Sequence, residues 1–240
     1  THVGSLPRSK KLSEILFRKD KNELFDQGEL DKIIEEDVNK IVKKQIDIGI
    51  DIISDGEMSK ISYATYVKDR LHGFSGESER RAPKDLDDFP SYKEKIAKSG
   101  GTPTYTRPCC TADLKIKDTK SLTKDISNLK SALKKNNHSQ GFINSASPGV
   151  ISNFLPNKFY KNDDKYLEAL SKMMKTEYDE ITKNDLLLQI DCPDLALARH
   201  MTFKNVSDQE FLVRAEKQIE CLNEAIKNID STKLRIHICW

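Results

Sequence analysis

Leu186-Leu187-Leu188-Gln189-Ile190-Asp191-Cys192-Pro193-Asp194 is apolar almost throughout and stops at a carboxylate followed, one residue on, by a proline. A strand with one wet face alternates apolar and polar residues. A near-continuous apolar run bounded by turn residues is covered on both faces, as in a parallel sheet. Three other segments follow the same order. Ile50 to Ile53 closes at Ser54-Asp55-Gly56-Glu57, Gly141 to Ser145 leads into Ser147-Pro148-Gly149, and Leu234 to Cys239 carries His237.

Helical periods separate these runs. Ile33, Ile34, Val38, Ile41, Val42 and Ile46 recur at helix spacing until Gly49, and Leu122, Ile126, Leu129 and Leu133 do the same further on. Tyr166, Leu167, Leu170, Met173, Met174, Tyr178 and Ile181 form an amphipathic stripe. Ser207-Asp208-Gln209-Glu210 matches a capping box, ahead of a helix that carries Phe211, Leu212, Ala215, Ile219, Leu222 and Ile226. Tyr105 to Ile116 contains a further strand. Residues 60–103, with a charged patch at Glu77 to Asp88 and a Gly100-Gly101 break, read as an irregular excursion within a single domain, 1–240.

Strand and helix thus alternate about six times, which implies an α/β fold with a parallel sheet. A doubly wound sheet and an eightfold barrel both fit. A dinucleotide-binding sheet would carry a glycine-rich turn after its first strand, and the sequence has no G-x-G-x-x-G. Ser5, Glu57, Asp191, His237 and Cys239 each fall at the C-terminal end of a strand, and a (β/α)8 TIM barrel gathers all such ends at one mouth. About six units leave the barrel incomplete. With no initiator Met and an abrupt opening on a motif, both ends read as cut, and about two βα units are expected after residue 240.

Forty basic and 38 acidic residues give a net charge of +2 with no single-sign block, so neither nucleic acid nor an anionic membrane is implied as a partner. No apolar run is long enough to span a bilayer, and no signal peptide is expected. The five cysteines are an odd number without a disulfide framework, which fits reduced thiols in the cytoplasm. The sequence carries no signal of oligomeric state.

His237-x-Cys239 lies in a strand, so both side chains point to one face, about 7 Å apart. An imidazole and a thiolate so placed suit two corners of a tetrahedral zinc site. They equally suit a buried strand in which Cys239 is a small hydrophobe and His237 a satisfied core residue. Asp191 at the end of an apolar strand is a costly group to bury without a task; it fits a substrate amine, the polar ring of a cofactor, or the cap of the next turn. Gly56 permits a tight turn that aims Asp55 and Glu57 into the mouth, or simply makes a βα turn. Gly4-Ser5 lets a ligand approach the backbone and offers a hydroxyl. Cys109-Cys110 point to opposite sides of a strand and do not chelate together. Cys221 sits within a helix and reads as structural.

Taken in order, His2-Val3-Gly4-Ser5-Leu6-Pro7-Arg8, Asp55-Gly56-Glu57, Gln189-Ile190-Asp191-Cys192-Pro193 and His237-Ile238-Cys239 resemble the catalytic domain of cobalamin-independent methionine synthase. The likeness is greater to the family's shorter single-domain relatives and covers nearly the whole chain. It implies a barrel of the methionine synthase/uroporphyrinogen decarboxylase type with Zn2+ at its mouth. His237 and Cys239 map to two metal ligands, and a Glu and a second Cys come from later strands. Ser5 maps to the loop that contacts the thiol substrate, and Glu57 and Asp191 to acids that bind substrate polar groups.

The implied activity is a zinc-dependent methyltransferase of methionine biosynthesis. It would move a methyl group from 5-methyltetrahydrofolate to a homocysteine-like thiol. Cys192 stands where methionine synthases have Glu, in I-D-E-P. That departure keeps open the zinc-dependent alkylation of another thiol by a non-folate electrophile, as in the related coenzyme M transferase. A binding barrel without catalysis is a third reading, while a decarboxylase would have no need of the H-x-C pair. Lacking the later strands, residues 1–240 alone are expected to be inactive.

Overall fold

The computed structural model describes residues 4–78, 84–98 and 105–239. His2, Val3, the Gly100-Gly101 break and Trp240 lie outside the described residues. Helix α1 (Lys10–Asp20) is capped by Ser9, whose side chain accepts from the Leu12 amide, and α2 (Gln27–Asp47) by Asp26. The apolar period of α2 turns Leu30, Ile33, Ile34, Val38, Ile41 and Val42 inward, as the sequence spacing predicts. Then follow β1 (Ile53–Ser54), β2 (Leu71–Ser75), α3 (Pro90–Lys98), β3 (Cys109–Ile116) and α4 (Lys120–Lys135). The second half runs β4 (Gly141–Ala146), α5 (Pro148–Phe154), α6 (Asp163–Lys183), β5 (Leu187–Asp191), α7 (Asp208–Ile226) and β6 (Leu234–His237). Helix α7 begins with the expected capping box, Ser207 and Glu210 bonding each other's backbone reciprocally.

The parallel sheet has the order β1-β4-β5-β6. Its register places Ala146 beside Asp191 and Asp191 beside His237, so the ends of β4, β5 and β6 are level, while β1 stops earlier, at Ser54 beside Phe142. Strand β4 is buried at all six positions and lies at the centre, flanked by β1 and β5. Gly141 starts it where a Cβ would come within 2.7 Å of Leu133 Cδ1, so glycine lets α4 close on the strand. One core joins α1, α2, α4 and α6 to the sheet, with Ile53, Ile143, Leu188 and Ile190 at 0% exposure.

The sheet is parallel and the barrel is not closed. Four parallel strands are present among the described residues where the sequence suggests about six. The strand expected within residues 105–116 does form, as β3, but it pairs antiparallel with β2 in a separate ribbon. The physical reason is burial. Of the eight residues of β3 only Cys109, Cys110 and Leu114 are buried, a pattern no central parallel strand tolerates. Residues 60–103, read as irregular, accordingly contain β2, a 3-10 turn at Tyr66–Asp69 and α3. A polar cluster fastens this excursion to the barrel. Arg70 pairs with Glu177 and stacks 4.3 Å from the Tyr66 ring centre, Tyr66 donates to Asp125 at 2.6 Å, and Ser145 donates to Glu177 at 2.7 Å.

Neighbours in register differ sharply in burial: Ile190 is 0% exposed and its partner Ile236 is 55% exposed. Ile190→Ala should therefore cost about 2–5 kcal/mol in urea unfolding, and Ile236→Ala less than about 1 kcal/mol. Equal losses would show that the sheet is covered differently.

Candidate active site at the strand ends

The turn after β1 is built by two residues in the left-handed region, Gly56 (φ 67°) and Glu57 (φ 55°). A Cβ on Gly56 would lie 2.9 Å from Met58 Cε and 3.2 Å from Ile41 Cγ2, so the turn is both tight and enclosed. The N-terminal loop is strapped onto it. Leu6 donates its amide to Gly56 O at 3.0 Å, the Gly4 amide donates to Glu57 Oε1 at 3.1 Å, and Arg8 donates to the carbonyls of Glu57 and Lys60.

Glu57 reaches across to the other strands. Asn144 Nδ2, from β4, donates to Glu57 Oε1 and to Asp191 Oδ2, both at 2.8 Å. Lys60 Nζ donates to Asn144 O at 2.7 Å and Oδ1 at 3.1 Å, and Gln189 Nε2 donates to Asp191 Oδ1 at 3.1 Å. Glu57 keeps 5% exposure and Asp191 none. The structure thus brings Glu57 and Asp191 together, with His237 beside Asp191 in register. Ser5 is exposed on the strap, on the same turn but outside the buried cluster.

His237 and Cys239 are half-buried. Their carbonyls accept from the amides of Cys192 at 2.7 Å and Leu197 at 3.1 Å, which ties the H-x-C segment to the loop after β5. An imidazole and a thiol are donor types that zinc takes, so these two residues fit part of a zinc site. No group of three or more His, Cys, Asp or Glu suited to a metal occurs among the described residues. A cavity of about 540 Å³ opens over α5 and the loop after β5, walled in part by Arg107, Cys109, Asn153, Phe154, Asp194 and Leu197; none of Glu57, Asp191, His237 and Cys239 lines it. Arg107 lies 4.7 Å over the Phe154 ring. Cys192 is fully buried, and burial with nearby Asp194 raises its thiol pKa.

The model of the cobalamin-independent synthase catalytic domain matches residues 1–240. The chain belongs to that family. Methionine synthases from Sulfolobus acidocaldarius and Sulfurisphaera tokodaii are each 24% identical to it; the matches cover all of this chain and 60% and 61% of those proteins. The chain therefore spans about 60% of the length of the curated relatives it matches. The solved B12-independent methionine synthase from Shewanella sp. W3-18-1, in complex with selenomethionine, shares the fold. Its TM-score is 0.65 at 19% identity, covering 90% of this chain and 54% of that one.

In this member of the cobalamin-independent synthase family, three residues of the site escape sequence reading. Asn144 and Lys60 are central to the cluster, and Tyr63 faces it, its phenol pKa raised by burial and by Asp191, Glu57 and Cys239. The available signal for Asn144 is an amide in the middle of the run Gly141-Phe142-Ile143-Asn144-Ser145-Ala146. A buried amide needs partners, but nothing in the run says which.

Burial pushes Glu57 up to about 7, with Asp55 and Asp191 adding to the rise and Lys60 and Arg8 opposing it. Asp191 is also raised, mainly by burial. Around Glu57, three carboxylates (Asp55, Glu57 and Asp191) thus face two cations. The unfolded chain gives up the Glu57 proton near 4.5 and the folded chain near 7, so the folded state binds more protons between these values. Stability must then fall as pH rises through that window. Asp125 and Asp194, each raised to about 6 by burial, act in the same direction. Urea unfolding across pH 4.5 to 7 should show this decline, and a shallower one in Glu57→Gln. Parallel declines in both proteins would remove Glu57 from the account.

Proposed function

We propose that the chain is the catalytic barrel of a methyltransferase that moves a methyl group from 5-methyltetrahydrofolate to a homocysteine-like thiol, giving a thioether such as methionine. The observation that carries this reading is the buried acid cluster of Glu57 and Asp191 next to the His237-x-Cys239 strand end, in a chain of the cobalamin-independent synthase family. The names of the relatives, methionine synthase and 5-methyltetrahydropteroyltriglutamate–homocysteine methyltransferase, support the same activity.

The excess of carboxylates over cations would be balanced by the ammonium group of an amino-acid thiol. Glu57 would meet it directly, and Asp191 would add its charge from one amide group behind. The Gly4-Ser5 strap would present its backbone and the Ser5 hydroxyl to the same molecule. The neighbouring cavity of about 540 Å³ is of a size that takes a folate-like donor, and Arg107 and Phe154 would meet its charged and aromatic parts. His237 and Cys239 would hold zinc, whose charge keeps a bound thiol deprotonated at neutral pH. In the transfer the sulfur attacks the methyl carbon, the methyl–nitrogen bond breaks, and the departing nitrogen takes up a proton. Holding thiol and donor in line would supply much of the rate.

Cys192, the residue that departs from I-D-E-P, is fully buried and does not line the cavity. No disulfide joins the described cysteines, in keeping with a reducing compartment such as the cytoplasm.

The decisive measurement is metal content of the full gene product, purified under reducing conditions, as wild type and as Cys239→Ser. About one zinc per chain is expected in the wild type and a large loss in the variant. Equal zinc in both would remove Cys239 from the site. Absence of zinc from folded, reduced wild type would sink the thiolate mechanism and favour a binding barrel.

A further inference from the structure

Asn144 has no part in the chemistry above, yet both carboxylates converge on it. Its amide has two hydrogens, and each is used on a different carboxylate, Glu57 at 2.8 Å and Asp191 at 2.8 Å. Its oxygen faces the other way, toward Lys60 Nζ at 3.1 Å. Lys60 is itself anchored on the Asn144 carbonyl at 2.7 Å. The amide has only one workable orientation, because a flip would set its oxygen against two carboxylates and its hydrogens against an ammonium group.

Three strands therefore meet at one side chain: β4 supplies it, β1 leads to Glu57, and β5 ends at Asp191. Asp191 is wholly buried and held from its far side by Gln189, so it is the fixed end of the chain of contacts. Glu57 keeps 5% exposure, against none for Asp191. Its Oε1 takes both the Asn144 and Gly4 bonds, which leaves Oε2 without a hydrogen bond from the described residues. Without the amide, two carboxylates would be left to repel each other in a poorly solvated site.

Resting on the amino-acid-thiol reading above, we propose that Asn144 is a positioning residue: it braces Glu57 against Asp191 so that the outer Glu57 oxygen meets a primary ammonium group. The site thereby distinguishes amino-acid thiols and thioethers from those lacking the amine. A role in stability alone would weaken all ligands together; a positioning role is selective.

The test uses calorimetric titration of the full gene product with two probes, L-methionine and 4-(methylthio)butanoate, which differ only in the amine. Wild type should prefer L-methionine, and Asn144→Ala should lower that preference by about tenfold, the size of one lost hydrogen bond to a charged group. Binding of 4-(methylthio)butanoate should stay unchanged. Asn144→Ser, whose single hydroxyl serves one carboxylate at a time, should fall between the two and covers the case of an unfolded alanine variant. If wild type discriminates and the folded variants discriminate equally well, the positioning role is overturned and the amine reading stands. If wild type shows no preference for the amine, the reading of the site fails and the Asn144 proposal fails with it.

Discussion

Two hydrogen bonds from one buried amide join the three strands on which the site depends. Asn144 sits in β4, the fully buried strand between β1 and β5, and its side chain ties the carboxylates at the ends of both neighbours. Hydrogen bonds to ionised acceptors are about twice as strong as neutral ones and shorter. The level register of Ala146, Asp191 and His237 brings these groups within reach of each other. A slip of one residue in any strand would turn the polar side chain to the opposite face.

Electrostatics at the site is a contest between burial and pairing, and burial wins at Glu57. Lys60 and Arg8 both favour its ionised form, yet desolvation and two neighbouring carboxylates leave it raised to about 7. A cluster short of positive charge in a closed place holds either a proton or a cationic ligand. The excursion between residues 60 and 116 is part of the same arrangement. It begins with Lys60, and Arg70 and Tyr66 fasten it to α6 and α4 through Glu177 and Asp125. The segment that reads as a departure from the barrel thus contributes Lys60 to the cluster and Tyr63 facing it.

Strands β4 and β5 were legible in the sequence because both faces of each are covered, and continuous apolar runs follow from that. The helices were legible from their 3.6-residue stripes, and α7 from its capping box as well. Strand β3 was located but assigned to the wrong sheet. A short strand in a βα series and one arm of a ribbon differ in what covers them, and coverage is set by chain segments far away. Glu57, Asp191, His237 and Cys239 stood out because polar or thiol groups at the ends of apolar strands are expensive unless used. Asn144 and Lys60 did not stand out, since an amide within a strand and a lysine in a loop are ordinary in sequence.

By itself the sequence determined the class of fold and the positions of the acids and of the H-x-C pair, because these follow from local periodicity and from residue types at strand ends; the family showed as a resemblance in four motifs taken in order. Only the tertiary structure decided which polar groups meet. The partners of Asn144 lie 87 and 47 residues away, and the contact exists only once β1, β4 and β5 are aligned. The burial of Glu57 and Asp191 was likewise set in three dimensions. Desolvation depends on everything packed around a group, and no stretch of sequence contains that sum.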